Sequence, residues 1–212
     1  MDKPANIEIY NELKRRIVEI EYKPGQLINE KQLIEEFDVS RTPVREALLK
    51  LSQNGLVDMI PRVGTYVTQV DLNEVKYAYE VKKNLEGLAA ELAAMRAGED
   101  EIKELYEIIM RFSQYDLVKD YKKCIKDDQR FHQITRKASK NPILIQTLEE
   151  MNTKTARFLQ YIQYILDDYN WFHESLKYIA EAIKDRNPKS ARIAAEKHTQ
   201  KFLEQMSKNF FC

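Results

Sequence analysis

From residue 72 to residue 209, apolar side chains recur every three or four positions, and only short polar breaks interrupt the pattern. This spacing puts the apolar residues on one face of a helix. The breaks fall near Gly98, Asp116 to Asp120, Asn141-Pro142, Asp167 to Asn170 and Asn187-Pro188. We therefore expect helices at residues 72–97, 99–115, 120–139, 142–166, 170–186 and 189–209. Because short connections favour antiparallel neighbours, the segment is predicted to be an all-α antiparallel helical bundle.

The N-terminal segment has a different organisation. Apolar periodicity predicts a helix over residues 7–20, and Asn29 is placed to cap a second, short helix. A third helix carries Val44, Ala47, Leu48 and Leu51 on one face, and "LVDMI" and "TYVTQV" then indicate two strands around a Pro/Gly turn. Three helices followed by a hairpin predict a winged helix-turn-helix. The chain is thus mainly α, with domains expected at residues 1–70 and 71–212.

Composition excludes several classes of protein. The 43% hydrophobic content can supply a core for each of two domains, and two distant cysteines are too few for a disulfide framework. No run approaches 18 apolar residues, and the N-terminus lacks the apolar core of a signal peptide. We therefore expect a cytoplasmic protein with no membrane partner.

Net charge does not favour nucleic acid, because residues 1–70 hold ten Lys and Arg against eleven Asp and Glu. Any DNA contact must depend on where the cations lie. Arg41, Thr42 and Arg45 fall opposite the apolar face of the third helix, near its N-terminus, where free amides and the helix dipole suit a phosphate. Alone, "SRTPVRE" also fits an ordinary capped helix start. The hairpin that follows, with Arg62 and Gly64 at its turn, favours a DNA-binding role.

The segment "KPGQLINEKQLIEEFDVSRTPVREALLKLSQNGLVDMIPRVGTYV" resembles the DNA-binding domain of GntR-type bacterial transcription regulators along its whole length. The resemblance implies DNA contacts from the recognition helix, the helix before it and the wing. The residues at those positions are Arg41, Thr42 and Arg45, then Lys31, and Gly64. It also implies that Ser40 helps to cap the recognition helix and reaches a phosphate.

Asp128 and His132 are four residues apart in "DDQRFHQITRKASKNPIL", so both lie on one face of a helix, as two ligands of one metal must. The same spacing also fits a surface pair or a core histidine. The chain has three histidines, His132, His173 and His198, all in the second segment. A carboxylate with imidazoles suits zinc, nickel, manganese or iron.

Residues 72–209 resemble the effector domain called FCD of the FadR subfamily, in "VKKNLEGLAAELAA", "DxxFHxxI", "KNPIL" and "AIKDRNPKSARIAAEKH". The resemblance implies a divalent metal, held by an aspartate and three histidines, that helps to bind a small carboxylate effector. Asp128, His132 and His198 fall on three of those positions. The fourth falls at Leu176, and His173, three residues earlier, is the provisional substitute. Lys82 stands near the effector position, where relatives commonly have arginine.

These patterns predict a ligand-responsive transcriptional regulator and not an enzyme. A homodimer is expected, because two recognition helices related by two-fold symmetry match a palindromic duplex operator. Most relatives implied by the resemblance are repressors. Two alternatives remain open: the same regulator with a metal-free pocket for a larger ligand such as an acyl-CoA, and a metal-dependent enzyme built on the bundle. The chain shows no nucleophile-base motif to support the enzyme.

Overall fold

The structure is a computed structural model, and it describes residues 5–116, 119–160 and 170–210. The described residues form two compact units. The first comprises the described residues up to Asp71 together with Thr153–Gln160, and the second comprises Leu72–Asn152 together with the residues from position 170. The sequence-based division into residues 1–70 and 71–212 stays a prediction. The predicted end of the 142–166 helix and most of the break at 167–170 lie outside the described residues.

The predicted fold class, a mainly α chain with an N-terminal winged helix-turn-helix and a helical second domain, is confirmed. The first unit contains α1 Ala5–Val18, β1 Leu27–Ile28, α2 Glu30–Glu36, α3 Arg41–Gln53, β2 Val57–Ile60 and β3 Gly64–Val67. After it come α4 Leu72–Arg96, α5 Glu99–Phe112, α6 Tyr121–Ala138, α7 Pro142–Thr155, α8 Asn170–Lys184 and α9 Pro188–Phe210. None of the described helices is long and apolar enough to cross a membrane.

The core of the first unit forms where α1 and α2 pack on α3. Leu13 and Ile17 of α1 are fully buried against Val44, Leu48 and Leu51 of α3. Burying each such side chain contributes roughly 1.5–3 kcal/mol. With this stripe turned inward, the opposite face of α3 is left to solvent.

The ends of α2 and α3 follow from local side chains and backbone geometry. The side chain of Asn29 accepts hydrogen bonds from the amides of Lys31 and Gln32, which confirms its predicted cap. Ser40 occupies the cap position of α3, but its side chain makes no capping hydrogen bond. The expectation that the Ser40 hydroxyl caps this helix is therefore wrong. Its extended backbone positions the helix start, and the hydroxyl leaves the first-turn amides available to another acceptor.

The wing is a three-stranded antiparallel sheet in the order β1-β3-β2. The hairpin β2–β3 pairs Val57 with Val67 and Ile60 with Gly64. Strand β1, which sequence analysis missed, pairs Leu27 with Tyr66. Two residues are too short to show a two-residue alternation, so this strand exists only through its long-range partner.

Helices are the only regular secondary structure among the described residues of the second unit. Helix α4 packs against α6, α8 and α9, and α5 packs against α6 and α8. The described α-helix ends at Thr155, earlier than the predicted residue 166, after a run with two β-branched threonines. Polar residues on the buried side of α4 therefore meet groups from other helices, such as Arg136 of α6 and Asn152 of α7.

Gly64 is the glycine on which the wing depends most, because its φ of 149° lies in a region that side chains rarely adopt. A Cβ there would also lie 2.7 Å from Leu27 Cδ1, although this half-exposed side chain can turn away. We expect Gly64→Ala to lower the free energy of unfolding by about 1–3 kcal/mol, mainly through backbone strain. Urea unfolding followed by circular dichroism measures the change.

The neighbouring Val63→Ala is the matched control, because Val63 is 62% exposed and its truncation should change stability by less than about 0.5 kcal/mol. Equal stability of the Gly64→Ala variant and the parent would contradict the strain.

Candidate functional site

The first candidate site is the solvent-facing start of α3 with the groups beside it. Arg41, Thr42 and Arg45 are all exposed in the first turns of α3. Lys31 is exposed on α2, and Arg62 lies exposed at the tip of the wing with a positive φ of 65°. The structure therefore places the predicted cations of this unit at its surface.

Ion pairing explains how a unit without net positive charge can present a basic surface. On α1, Arg15 and Arg16 are held by carboxylates that include Glu12 and Glu36. In contrast, the side chains of Lys31, Arg45 and Arg62 make no ion pair within the described part of the chain. Arg41 lies 3.7 Å from Glu30 and is 71% exposed, a weak pairing. The cations around α3 remain available to an external anion.

The second candidate site lies inside the helical unit and is formed by buried polar residues with helical spacing. Asp128, His132 and Arg136 follow one another at intervals of four along α6, so they share one face. Lys82 and Glu86 have the same spacing on α4, which packs against α6. The packing of α4 on α6 thus brings the polar residues of the two helices together in the core.

Three of the predicted metal ligands converge at this position. Asp128 Oδ1 lies 3.5 Å from His132 Nε2 and 3.9 Å from His198 Nε2, and the two imidazole centroids are 5.3 Å apart. The candidate ligand atoms of these residues all lie within 4.8 Å of one another. Ligands about 2.0–2.2 Å from one ion are themselves separated by roughly 3–4 Å, so the spacing suits a single metal ion.

The outer nitrogen of each imidazole also faces a polar group. His198 Nδ1 lies 2.7 Å from Ser175 Oγ of α8, a hydrogen bond. His132 Nδ1 lies 3.6 Å from Glu86 Oε2. Metal-bound histidines commonly turn their second nitrogen to such a partner, which fixes the tautomer and leaves the other nitrogen free to coordinate. Both rings therefore present Nε2 toward Asp128.

The electrostatics follow from burial combined with close charges. Burial opposes the charged form of His132, but Asp128 and Glu86 outweigh it and raise its pKa to about 9. For His198, burial and the nearby His132 lower the pKa to about 4. Burial would raise the pKa of Asp128, yet the two histidines and Lys82 outweigh it and the pKa is lowered. A cation is thus favoured between these groups.

The donor set fits a divalent metal. Asp128 is 8% exposed, and its Oδ1 has no hydrogen-bond partner among the described residues. A buried carboxylate oxygen in that state is unfavourable unless a cation is close. Two imidazole nitrogens and one carboxylate oxygen suit zinc, nickel, manganese or iron. Asp128, His132 and His198 are the residues that would hold the ion.

A buried hydrogen-bonded chain connects this centre to α7. Arg136 Nε donates to both oxygens of Glu86 at 3.1 and 3.2 Å, and Arg136 Nη2 lies 3.4 Å from Asn152 Oδ1. Lys82 donates to the same Asn152 oxygen at 2.6 Å. Burial, with Arg136 nearby, lowers the pKa of Lys82 to about 8. Lys82 therefore belongs to the hydrogen-bonded chain beside the centre, and its effector role stays a prediction.

The structure does not bring His173 into the group of three. Its ring stacks on Phe112 with centroids 6.0 Å apart, and its Nε2 has no hydrogen-bond partner among the described residues. Leu176, which stands where the resembled family has histidine, is fully buried and offers no ligand atom. Ser175, one residue before it, is the α8 side chain that meets His198.

Sequence reasoning missed Glu86, Arg136, Asn152 and Ser175. The four-residue spacing of Lys82 with Glu86 and of His132 with Arg136 was a usable signal for two of them. Asn152 and Ser175 carry no such signal, because their roles arise only when distant helices pack.

Comparison with known proteins identifies both units. The family profile described as bacterial regulatory proteins, gntR family, matches residues 6–67, and the FCD domain profile matches residues 77–201. The HTH-type transcriptional regulator YdhC of Bacillus subtilis is 31% identical over 91% of this chain and 87% of its own length. The HTH-type transcriptional repressor RspR of Escherichia coli is 27% identical over 96% of this chain and 89% of its own length.

Solved structures show the same fold. McbR/YncC of Escherichia coli superposes with a TM-score of 0.83 at 22% identity, covering 99% of this chain and all of that chain. At this identity the likeness concerns the fold alone. The matched family and the relatives are transcriptional regulators and not enzymes.

The Glu86–Arg136 pair generates a prediction about stability. Arg136→Leu would leave the buried Glu86 carboxylate without its main cationic partner, and we expect the free energy of unfolding to fall by about 3–5 kcal/mol. Urea unfolding of the purified variants provides the measurement.

Lys140→Ala is the control, because Lys140 forms an exposed pair with Glu101 and its removal should cost about 0–1 kcal/mol. Similar losses for the buried and the exposed pair would contradict the role given to Arg136.

Proposed function

Because the chain belongs to the GntR family of bacterial regulatory proteins and carries an FCD domain, we propose that it is a ligand-responsive repressor of the FadR subfamily that binds operator DNA. The observation that carries the proposal is the exposed cations around the start of α3, of which Lys31 and Arg45 make no ion pair among the described residues. A chromosomal target also implies action in the bacterial cytoplasm.

In the proposed complex, the start of α3 enters the major groove. Arg41, Thr42 and Arg45 would contact base edges and phosphates, since arginine can donate two hydrogen bonds to guanine. The Ser40 hydroxyl, which makes no cap, and the first-turn amides would meet a phosphate. Lys31, Arg62 and the backbone at Gly64 would add contacts beside the helix.

Two copies of the chain are needed for a specific operator. One recognition helix contacts only a few base pairs, so a homodimer on a palindromic duplex supplies the remaining specificity. The effector would alter operator affinity by binding one arrangement of the dimer more tightly than another. RspR, a relative of similar length, is a repressor, which supports repression as the outcome here.

We expect Arg45→Ala to weaken binding to the operator by at least about tenfold, because the side chain is exposed and makes no ion pair within the described residues. The duplex would be selected by the protein from a random pool and measured by fluorescence anisotropy. The melting temperature should stay within about 2 °C of the parent value.

Arg15→Ala removes the same charge from the paired arginines of α1 and should leave operator affinity within about threefold. An Arg45→Ala variant that binds the selected duplex like the parent would remove this assignment.

For the effector we propose a small organic acid held against a divalent metal. Asp128, His132 and His198 would bind the ion, and a bound ion would attract a carboxylate as a Lewis acid. Lys82 would supply a second cation, as a point charge and not as the two-pronged donor that arginine provides. The buried charges around this centre are unsuitable for the apolar chain of an acyl-CoA, so the metal-free alternative has less support.

The proposal predicts which variants lose the metal. Parent protein supplemented with Zn²⁺ or Mn²⁺ and then desalted should retain about one ion per chain by mass spectrometry. Asp128→Ala and His132→Ala should retain almost none, because each removes one of three converging ligands.

His173→Ala serves as the internal control and should keep the ion, since His173 lies outside the group of three. Parent protein free of metal after supplementation would remove the metal proposal, and loss of metal from His173→Ala would restore His173 as a ligand.

A further inference from the structure

Trp171 lies at the start of α8 and is the only tryptophan in the chain. The indole is 6% exposed, and its ring centroid is 6.0 Å from that of His198. Phe172 lies beside both rings, 5.6 Å from Trp171 and 5.3 Å from His198 between centroids. Trp171 therefore forms part of the immediate surroundings of a proposed metal ligand.

The indole N–H of Trp171 lacks a hydrogen-bond acceptor among the described residues, and its nitrogen, Nε1, is buried. An indole N–H can only donate, so it needs an acceptor, and a buried donor without one is unfavourable. Native proteins keep such groups mainly where water, an ion or a ligand supplies the missing partner.

A second unpartnered group of opposite character lies near the same imidazole. Asp128 Oδ1 is a buried acceptor that has no hydrogen-bond partner in the described part of the chain, and it lies 3.9 Å from His198 Nε2. Asp128 requires a cation or a donor, whereas Trp171 requires an acceptor. A metal ion with a bound carboxylate would satisfy both, because Asp128 would help to hold the ion and a carboxylate oxygen could accept from Trp171.

The charge beside the indole favours an anionic acceptor. The ammonium of Lys201 lies 4.9 Å from the Trp171 ring centroid. A positive group beside the indole raises the affinity for a negatively charged oxygen over that for a neutral one.

We propose that Trp171 is an effector-binding residue whose Nε1–H donates a hydrogen bond to an acceptor oxygen of the organic acid. The assignment rests on the proposed function, because it takes an organic acid at the metal centre as its premise. It adds a neutral, directional donor to the charged groups, and so favours acids with an oxygen placed to accept from the indole.

The single tryptophan permits a direct test. Zn²⁺-loaded protein is titrated with L-lactate, succinate and L-malate, and each acid that raises the melting temperature is followed by intrinsic fluorescence and by calorimetry. We expect the Trp171 emission to change with the same dissociation constant that calorimetry gives. Trp171→Phe keeps an aromatic ring and removes the donor, so it should bind Zn²⁺ like the parent and the acid about tenfold more weakly.

Phe172→Leu is the matched control, since it alters packing beside His198 without removing a donor, and it should change acid affinity by less than about threefold. Unchanged acid affinity in Trp171→Phe would overturn the inference and leave the proposed function standing. The inference would also be overturned if Phe172→Leu weakened acid binding as much as Trp171→Phe does. The same holds if an acid that stabilises the parent leaves its fluorescence unchanged. If no acid stabilises the parent, the organic-acid proposal fails and this assignment fails with it.

Discussion

Four charged side chains, Lys82, Glu86, Asp128 and Arg136, are buried in the described part of the helical unit. A buried charge is tolerated only when partners surround it. Glu86 is held by Arg136 and faces His132, and Asn152 accepts from both Arg136 and Lys82. Because these partners come from α4, α6 and α7, each helix must keep its register for the others to remain satisfied.

The first unit has the opposite requirement, because binding to DNA needs cations that are not already paired with carboxylates of the protein. Glu12 and Glu36 pair with Arg15 and Arg16 on α1, away from the apolar stripe that orients α3. Two arginines thus engage four carboxylates, whereas Arg45 is exposed and makes no ion pair among the described residues. A neutral total therefore says little about DNA binding, because affinity depends on the local distribution of unpaired charge.

Sequence alone predicted the features that depend on short-range spacing. The apolar stripe of α3, the Asn29 cap and the shared face of Asp128 and His132 all follow from intervals of four residues or fewer. What escaped prediction depends on distant packing, as with strand β1 and with Ser175 beside His198.

The fourth metal position illustrates the same limit. The residue type alone suggested His173, but its ring stacks on Phe112. Ser175, two residues later and therefore roughly 200° around the helix, is the side chain that meets His198. Ser175 could not be predicted from ligand chemistry, because a hydroxyl that orients an imidazole is not itself a typical ligand for these metals.

The charges of the centre also bear on how metal and acid would depend on each other. Asp128 and Glu86 balance Lys82 and Arg136, so the buried set carries no net charge when metal binding keeps both histidines deprotonated. A divalent ion would add two positive charges where the dielectric response is weak, and a carboxylate would offset part of that excess. By linkage, whatever the acid gains from the metal the metal gains from the acid. In the proposed complex, the acid would therefore add ligand atoms to those of Asp128, His132 and His198 and would also serve as the signal.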